Sequence, residues 1–209
     1  MDTAQHHRNL ADPAWRRWLL LAALVLIGIG YATAFALFVT RSQDFIVARY
    51  NQRALDFSRA HIVSAPAKLS FGPDEPGSMR LGGGWHAPES GGAWSQTRNA
   101  FVVIVVPREH VPLLLRVNAT AAVLEQRPRM KIKAFINGVP AGKWVRDTTN
   151  PSTPFDVRVP ASLANTGQLE IRLRVDHTVS QFRLRAGPDS RDLGVMLHSI
   201  ELLDANANP

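Results

Sequence analysis

Between Leu81 and Asn99 the sequence LGGGWHAPESGGAWSQTRN sets Trp85 and Trp94 on either side of a glycine-containing loop that carries His86 and Glu89. An indole face stacks on the C–H face of a pyranose while carboxylate and imidazole hydrogen-bond its hydroxyls, so this combination has the chemistry of sugar binding. The competing use is packing. Large aromatics beside strands plug cores, Glu89 would then pair with an arginine, and the glycines would serve turn geometry. Further along, Asp189, Arg191 and Asp192 form a second polar cluster. Two carboxylates fall short of the roughly 6 to 8 oxygens that Ca²⁺ takes, and Arg191 between them opposes a cation, so a Glu89 to Arg191 salt bridge is expected rather than a metal site. The candidate carbohydrate-binding residues are therefore Trp85, His86, Glu89, Trp94 and Arg191.

Catalysis finds little to work with. The chain has no cysteine, and it lacks G-x-S-x-G, H-E-x-x-H and phosphate-cradling glycine loops. His86, His110, His177 and His198 stand singly, and His6 and His7 precede the apolar segment. Ser95 with His86 could form the core of a carbohydrate esterase, but no spacing in the chain requires it. The expectation is a protein that is not an enzyme and needs no cofactor.

The formal charge of +7 comes mostly from arginines dispersed along the chain rather than gathered in one run. Such a surface suits anionic lipid headgroups or acidic glycans, and nucleic acid is not expected for a domain outside the cytoplasm. With no cysteine there are no disulfides, so an ordinary apolar core must hold the fold.

These residues need elements to position them. From Trp18 to Thr40 no residue is charged, a stretch long enough to cross a hydrocarbon core of about 30 Å. Trp18 is an interfacial aromatic; Arg8, Arg16 and Arg17 on one side nearly balance Arg41, Arg49 and Arg53 on the other, and the Arg16-Arg17 pair abutting the run tips the expectation to an N-terminus in the cytoplasm. Ala34-Phe35-Ala36 could serve as a signal cleavage site, but the apolar run continues to Val39, favouring an uncleaved signal anchor. The expected organisation is a cytoplasmic tail over 1–17, a transmembrane helix over 18–40, a helical stalk or linker over 41–60, and an extracytoplasmic β-sandwich over 61–209.

After His61 short apolar or alternating runs are separated by Pro and Gly, the habit of a sandwich. Strands are expected at 67–71, 100–107, 113–124, 130–136, 142–147, 155–160, 168–176, 180–186 and 193–203. Leu169, Ile171, Leu173 and Val175 alternate with Glu170, Arg172, Arg174 and Asp176, so one face is buried and the other wet. Asn137-Gly138 is a type I′ hairpin signal joining two antiparallel strands. The run FVVIVV is apolar on both faces and reads as a central strand covered on both sides.

Three ordered elements also resemble the jelly-roll, carbohydrate-binding-module-like domain appended to bacterial membrane glycosyltransferases and other surface-polysaccharide biosynthesis proteins. The first is Gly84, Trp85, Pro88, Glu89, Gly92, Trp94 and Ser95; the second is Asn137-Gly138; the third is Asp189, Arg191, Leu193, Gly194 and Val195. The resemblance covers about residues 65 to 203 and implies an all-β, antiparallel jelly-roll-like sandwich tethered to one N-terminal transmembrane helix. Family examples often carry a multi-span transferase, for which this chain has no room. The implied role is a non-catalytic accessory protein of the bacterial inner membrane, its domain periplasmic, that binds glycan or docks on a polytopic glycosyltransferase during polysaccharide or glycolipid synthesis or export. A purely structural protein–protein module is the alternative.

Overall fold

The computed structural model describes residues 14–108 and 111–206. The sequence readings at His6, His7 and His110, and most of the 1–17 tail, lie outside them. Helix α1 runs Ala14–Ala60. Within it Arg17–Phe38 is long and apolar enough to cross a membrane, and none of it is buried. The chain divides into two compact units, Met1–Phe45 and Ile46–Pro209. The last four turns of α1 therefore belong to the same unit as the strands.

The strands are β1 (Ala67–Ser70), β2 (Ala93–Trp94), β3 (Asn99–Val105), β4 (Leu113–Ala121), β5 (Arg129–Ile136), β6 (Val139–Asp147), β7 (Phe155–Val159), β8 (Gln168–Val175) and β9 (Val195–Asp204), with a one-turn helix α2 (Ala161–Ala164) before β8. They form two antiparallel sheets. In the first the order is β1-β9-β4-β7 with β2 also on β9; in the second it is β3-β8-β5-β6. Setting aside the two-residue β2, eight strands interleave between the sheets as in a jelly roll. The alternating residues that face inward fill one core: Leu169, Ile171, Leu173 and Val175 from β8, Ile132, Ala134 and Ile136 from β5, and Leu115, Val117, Ile200 and Leu202 from the other sheet.

Asn137 and Gly138 turn β5 into β6 with φ of 50° and 81°, the positive pair a type I′ turn needs. The amide of Asn137 also holds the neighbouring strand: its Oδ1 accepts from Glu170 N at 2.7 Å and its Nδ2 donates to Gln168 O at 2.8 Å.

The FVVIVV strand is covered on both sides but is not central. β3 is an edge, and what covers it is the second half of α1. Val103 points out of the sandwich, since its neighbours Val102 and Ile104 pair with the inward Ile171 and Leu169, yet Val103 is buried. Val47, Asn51, Ala54 and Ser58 recur at helical spacing along one face of α1. Of these, Ala54 and Ser58 are fully buried, and the Ser58 hydroxyl donates to Val103 O at 2.7 Å. Other edge groups of β3 are met by Gly82 N on Phe101 O at 2.8 Å, Phe101 N on Gly83 O at 3.0 Å and Val63 N on Val105 O at 2.9 Å. A long apolar edge strand left open would invite aggregation; here it is closed.

The expected strand over 180–186 is instead a turn. Serine, phenylalanine and leucine alternate there as in a strand, but Arg185 takes a φ of 55°, and Leu184 N to Ser180 O and Ala186 N to Gln181 O bonds fold the segment on itself. It lies in the long connection from β8 to β9, tied down by the Val179–Leu193 bridge.

Candidate functional site

The loop from Gly84 to Ser95 is a hairpin. Trp85 bridges Ser95, Glu89 bridges Gly92, and Ser90-Gly91 make the tip, with Gly91 at a φ of 94°. This pairing separates the two tryptophans. Trp85 turns inward: it is only 8% exposed, belongs to the core cluster, and donates its indole N–H to Phe101 O at 2.7 Å. Its rings therefore have no free face for a sugar. Trp94 is partly buried, in register with Met196 on β9 and packed against the core cluster.

The other three candidates converge. Glu89 and Arg191 lie more than a hundred positions apart in sequence, yet Arg191 Nη1 meets Glu89 Oε2 at 3.1 Å, with the side chains 38% and 39% exposed. This is the salt bridge expected from the sequence. Arg191 also binds Asp189, through Nη2 at 2.8 Å and its own backbone N–H at 2.9 Å. The bonds to Asp189 and Glu89 raise the Arg191 guanidinium above its ordinary pKa. The same bonds from Arg191 hold Asp189 below the usual carboxylate range. A carboxylate depressed in the folded state contributes stability above its unfolded pKa, near 3.9, and that contribution is lost as pH falls through the folded value.

His86 joins the cluster from the hairpin's first strand. Its Nε2 meets Asp192 O at 2.8 Å, which makes it the donor, and its backbone N–H bonds Trp94 O at 2.8 Å. Asp192 is paired in turn with Arg183. At the hairpin tip, His198 Nδ1 lies 2.5 Å from Gly91 O and Nε2 lies 2.7 Å from Thr120 Oγ1. Gly91 O can only accept, so a neutral His198 carries its proton on Nδ1 and takes the Thr120 hydroxyl proton on Nε2.

Ser95 does not pair with His86. Its hydroxyl is buried and accepts from Val195 N at 2.9 Å, joining the hairpin to β9. Among the described residues no group of three or more His, Asp or Glu could hold a metal ion.

No family profile matches the chain. No curated protein matches it either. Similar solved structures include a "Carbohydrate-Binding Module CBM36 in complex with calcium and xylotriose" at 16% identity, covering 65% of this chain and 98% of that one, with a TM-score of 0.37. A second is CBM51-2 with GlcNAc from Clostridium perfringens ZmpB, at 14% identity over 55% of this chain and 22% of that one, TM-score 0.32. A third is an acetyl xylan esterase from Butyrivibrio proteoclasticus, at 10% identity over 69% of this chain and 32% of that one, TM-score 0.33. This chain thus spans less than a third of the length of the second and about a third of the third. At these scores the sandwich rests on its own strand order and register.

Sequence patterning did not reveal what the glycines of Leu81–Gly84 do. A Cβ on Gly83 would sit 2.9 Å from the Val47 Cα of α1, and Gly83 N donates to Asn51 Oδ1 at 2.9 Å. The run is the seat of the helix, placed immediately before the candidate loop. Nothing local in the run marks this use, because Val47 and Asn51 lie more than thirty residues away.

Proposed function

We propose that this chain is a membrane-anchored, non-catalytic accessory protein whose jelly roll binds glycan. In this reading Arg17–Phe38 spans a bacterial inner membrane with the N-terminus in the cytoplasm, the sandwich is periplasmic, and a polytopic glycosyltransferase of surface polysaccharide or glycolipid assembly does the chemistry beside it. The observation that carries the glycan reading is the Glu89–Arg191 pair, with the His86 ring bonded to Asp192 O next to Arg191 and the His86 backbone paired to the partly buried Trp94. Carboxylate oxygens already oriented by Arg191 retain free acceptor positions, and a fixed acceptor next to an indole is what a sugar's hydroxyls and C–H face require.

The test is a glycan array followed by calorimetry on the full chain in neutral detergent. Trp94→Ala and Glu89→Gln are expected to abolish binding while leaving the circular dichroism spectrum unchanged. Absence of binding to every glycan, or full affinity in Trp94→Ala, overturns the reading. A protein-docking role is favoured by one feature, Phe182, which stands 65% exposed on the neighbouring loop. Loss of a cross-linked membrane partner on Phe182→Ala, with glycan binding intact, would show that both roles coexist.

A further inference from the structure

The outer faces of the two sheets treat charge in opposite ways. Across the first sheet one register row reads Lys68, Glu201, Arg116, Asp156 from β1 through β9 and β4 to β7, alternating in sign at every step. Its pairs close at 3.4 Å for Lys68–Glu201 and 3.1 Å for Arg116–Asp156. Across the second sheet the row is Asn99, Arg174, Lys133, Lys143 from β3 through β8 and β5 to β6. Three cations stand side by side, all exposed. Like charges directly opposite on neighbouring strands destabilise a sheet. Among the described residues no ion pair engages any of the three.

The acids on this face are occupied elsewhere. Asp176 pairs with His177 at 3.0 Å and accepts from Lys131 N at 3.0 Å; Asp147 accepts from Thr149 and Asn150. Glu170 lies toward α1, where Asn51 reaches it at 3.5 Å. One row nearer the Asn137-Gly138 turn, Arg172 is in register between Phe101 and Phe135 and sets its guanidinium 4.2 Å from the Phe135 ring centroid.

We propose that this outer face of β8, β5 and β6 binds an acidic polysaccharide, its carboxylates or sulfates met in turn by Arg174, Lys133 and Lys143. Strands lie about 4.8 Å apart, so the row offers one cation per strand along a line, a step close to the length of one sugar ring in an extended chain. A linear polymer fits the line better than a bilayer does. The second half of α1 covers β3 and so stands above the sheet on that side, and a helix is about 10 Å thick. A flat lipid surface would meet the helix first, whereas a single strand of sugar can lie along the sheet beside it. The inference rests on the glycan reading for the class of polymer, and on the unpaired row for its charge.

The experiment titrates the full chain, held in nanodiscs of neutral lipid, with polygalacturonate, its fully methyl-esterified counterpart, polyglutamate and phosphatidylglycerol vesicles. Polygalacturonate is expected to bind most tightly and to weaken with salt. The double variant Lys133→Gln/Lys143→Gln is expected to lower its affinity about tenfold, since exposed ionic contacts are each modest. The matched variant Lys68→Gln/Arg116→Gln removes as much charge from the other face and is expected to bind as the parent does. Equal losses in both variants would reduce the effect to net charge and overturn the site. Unchanged binding in the first variant, or equal binding of the methyl ester, would overturn the charge-based site while leaving glycan binding elsewhere intact. Polyglutamate binding as tightly as polygalacturonate through the same lysines would overturn the glycan class and keep the anion surface. Preference for the vesicles would overturn the proposal in favour of lipid.

Discussion

From Arg17 to Phe38 α1 buries nothing against the protein, whereas from Val47 to Ser58 one face of the same helix is fitted to the sandwich. The difference lies in what each half offers its surroundings. The first half is apolar all round, with Leu24, Leu26 and Phe35 each more than 60% exposed, which suits a hydrocarbon solvent that asks nothing of direction. The second half carries Arg49, Arg53 and Asp56 on one face and keeps the opposite stripe of Val47, Asn51, Ala54 and Ser58 for a protein surface. One secondary structure thus serves two solvents, and the side chains decide where the change falls.

That comparison can be broken by matched substitutions. The largest effect is expected in the first half from Ile27→Arg, which puts a charge near the centre of the span at a cost of about 3 kcal/mol to insertion. The measurement is the fraction of chain resisting alkaline extraction from membranes, and the unfolding of the sandwich should not change. Gly83→Val should do the reverse. The added side chain meets Val47, so unfolding should become easier by about 1–3 kcal/mol in denaturant titration, while membrane extraction stays as in the parent. Its partner Gly30→Val, with nothing within 4 Å, should leave domain stability within about 0.5 kcal/mol. Between these two lies Ser58→Ala, which orphans Val103 O at a cost of about 1 kcal/mol and should speed hydrogen exchange along β3.

The strands were largely legible because their pattern is local. Leu169 to Val175 alternates without a break, Asn137-Gly138 permits few turns other than the one it makes, and FVVIVV announces that both its faces are covered. What covers it was not legible, because the answer lies in Ala54 and Ser58, small residues in a segment that reads equally well as a free stalk. The 180–186 segment departs from its pattern for a related reason: its alternation is real, but Arg185 and the serine-capped bonds override it. At the candidate site, Glu89 and Arg191 could be matched by charge and motif. Trp85 and Trp94 could not be told apart, since hairpin register, not residue type, sends one fully inward and leaves the other partly exposed. The unpaired row on the second sheet was the least visible of all. Lys133 and Arg174 each sit in an obvious alternating strand, but their adjacency follows only from β5 lying between β6 and β8.

α1 changes its surroundings near residue 45, and the compact unit Ile46–Pro209 is expected to fold as one where 61–209 alone is not. Urea unfolding of the two fragments tests this directly. Removing 46–60 uncovers Val103 and the Val103 carbonyl, together worth roughly 3 kcal/mol, which at about 1–3 kcal/mol/M corresponds to a midpoint lower by roughly 1–3 M. A single cooperative transition for 46–209 and a markedly lower or aggregating one for 61–209 is the result expected. Identical midpoints for the two fragments would contradict it, and would return the second half of the helix to the role of a stalk.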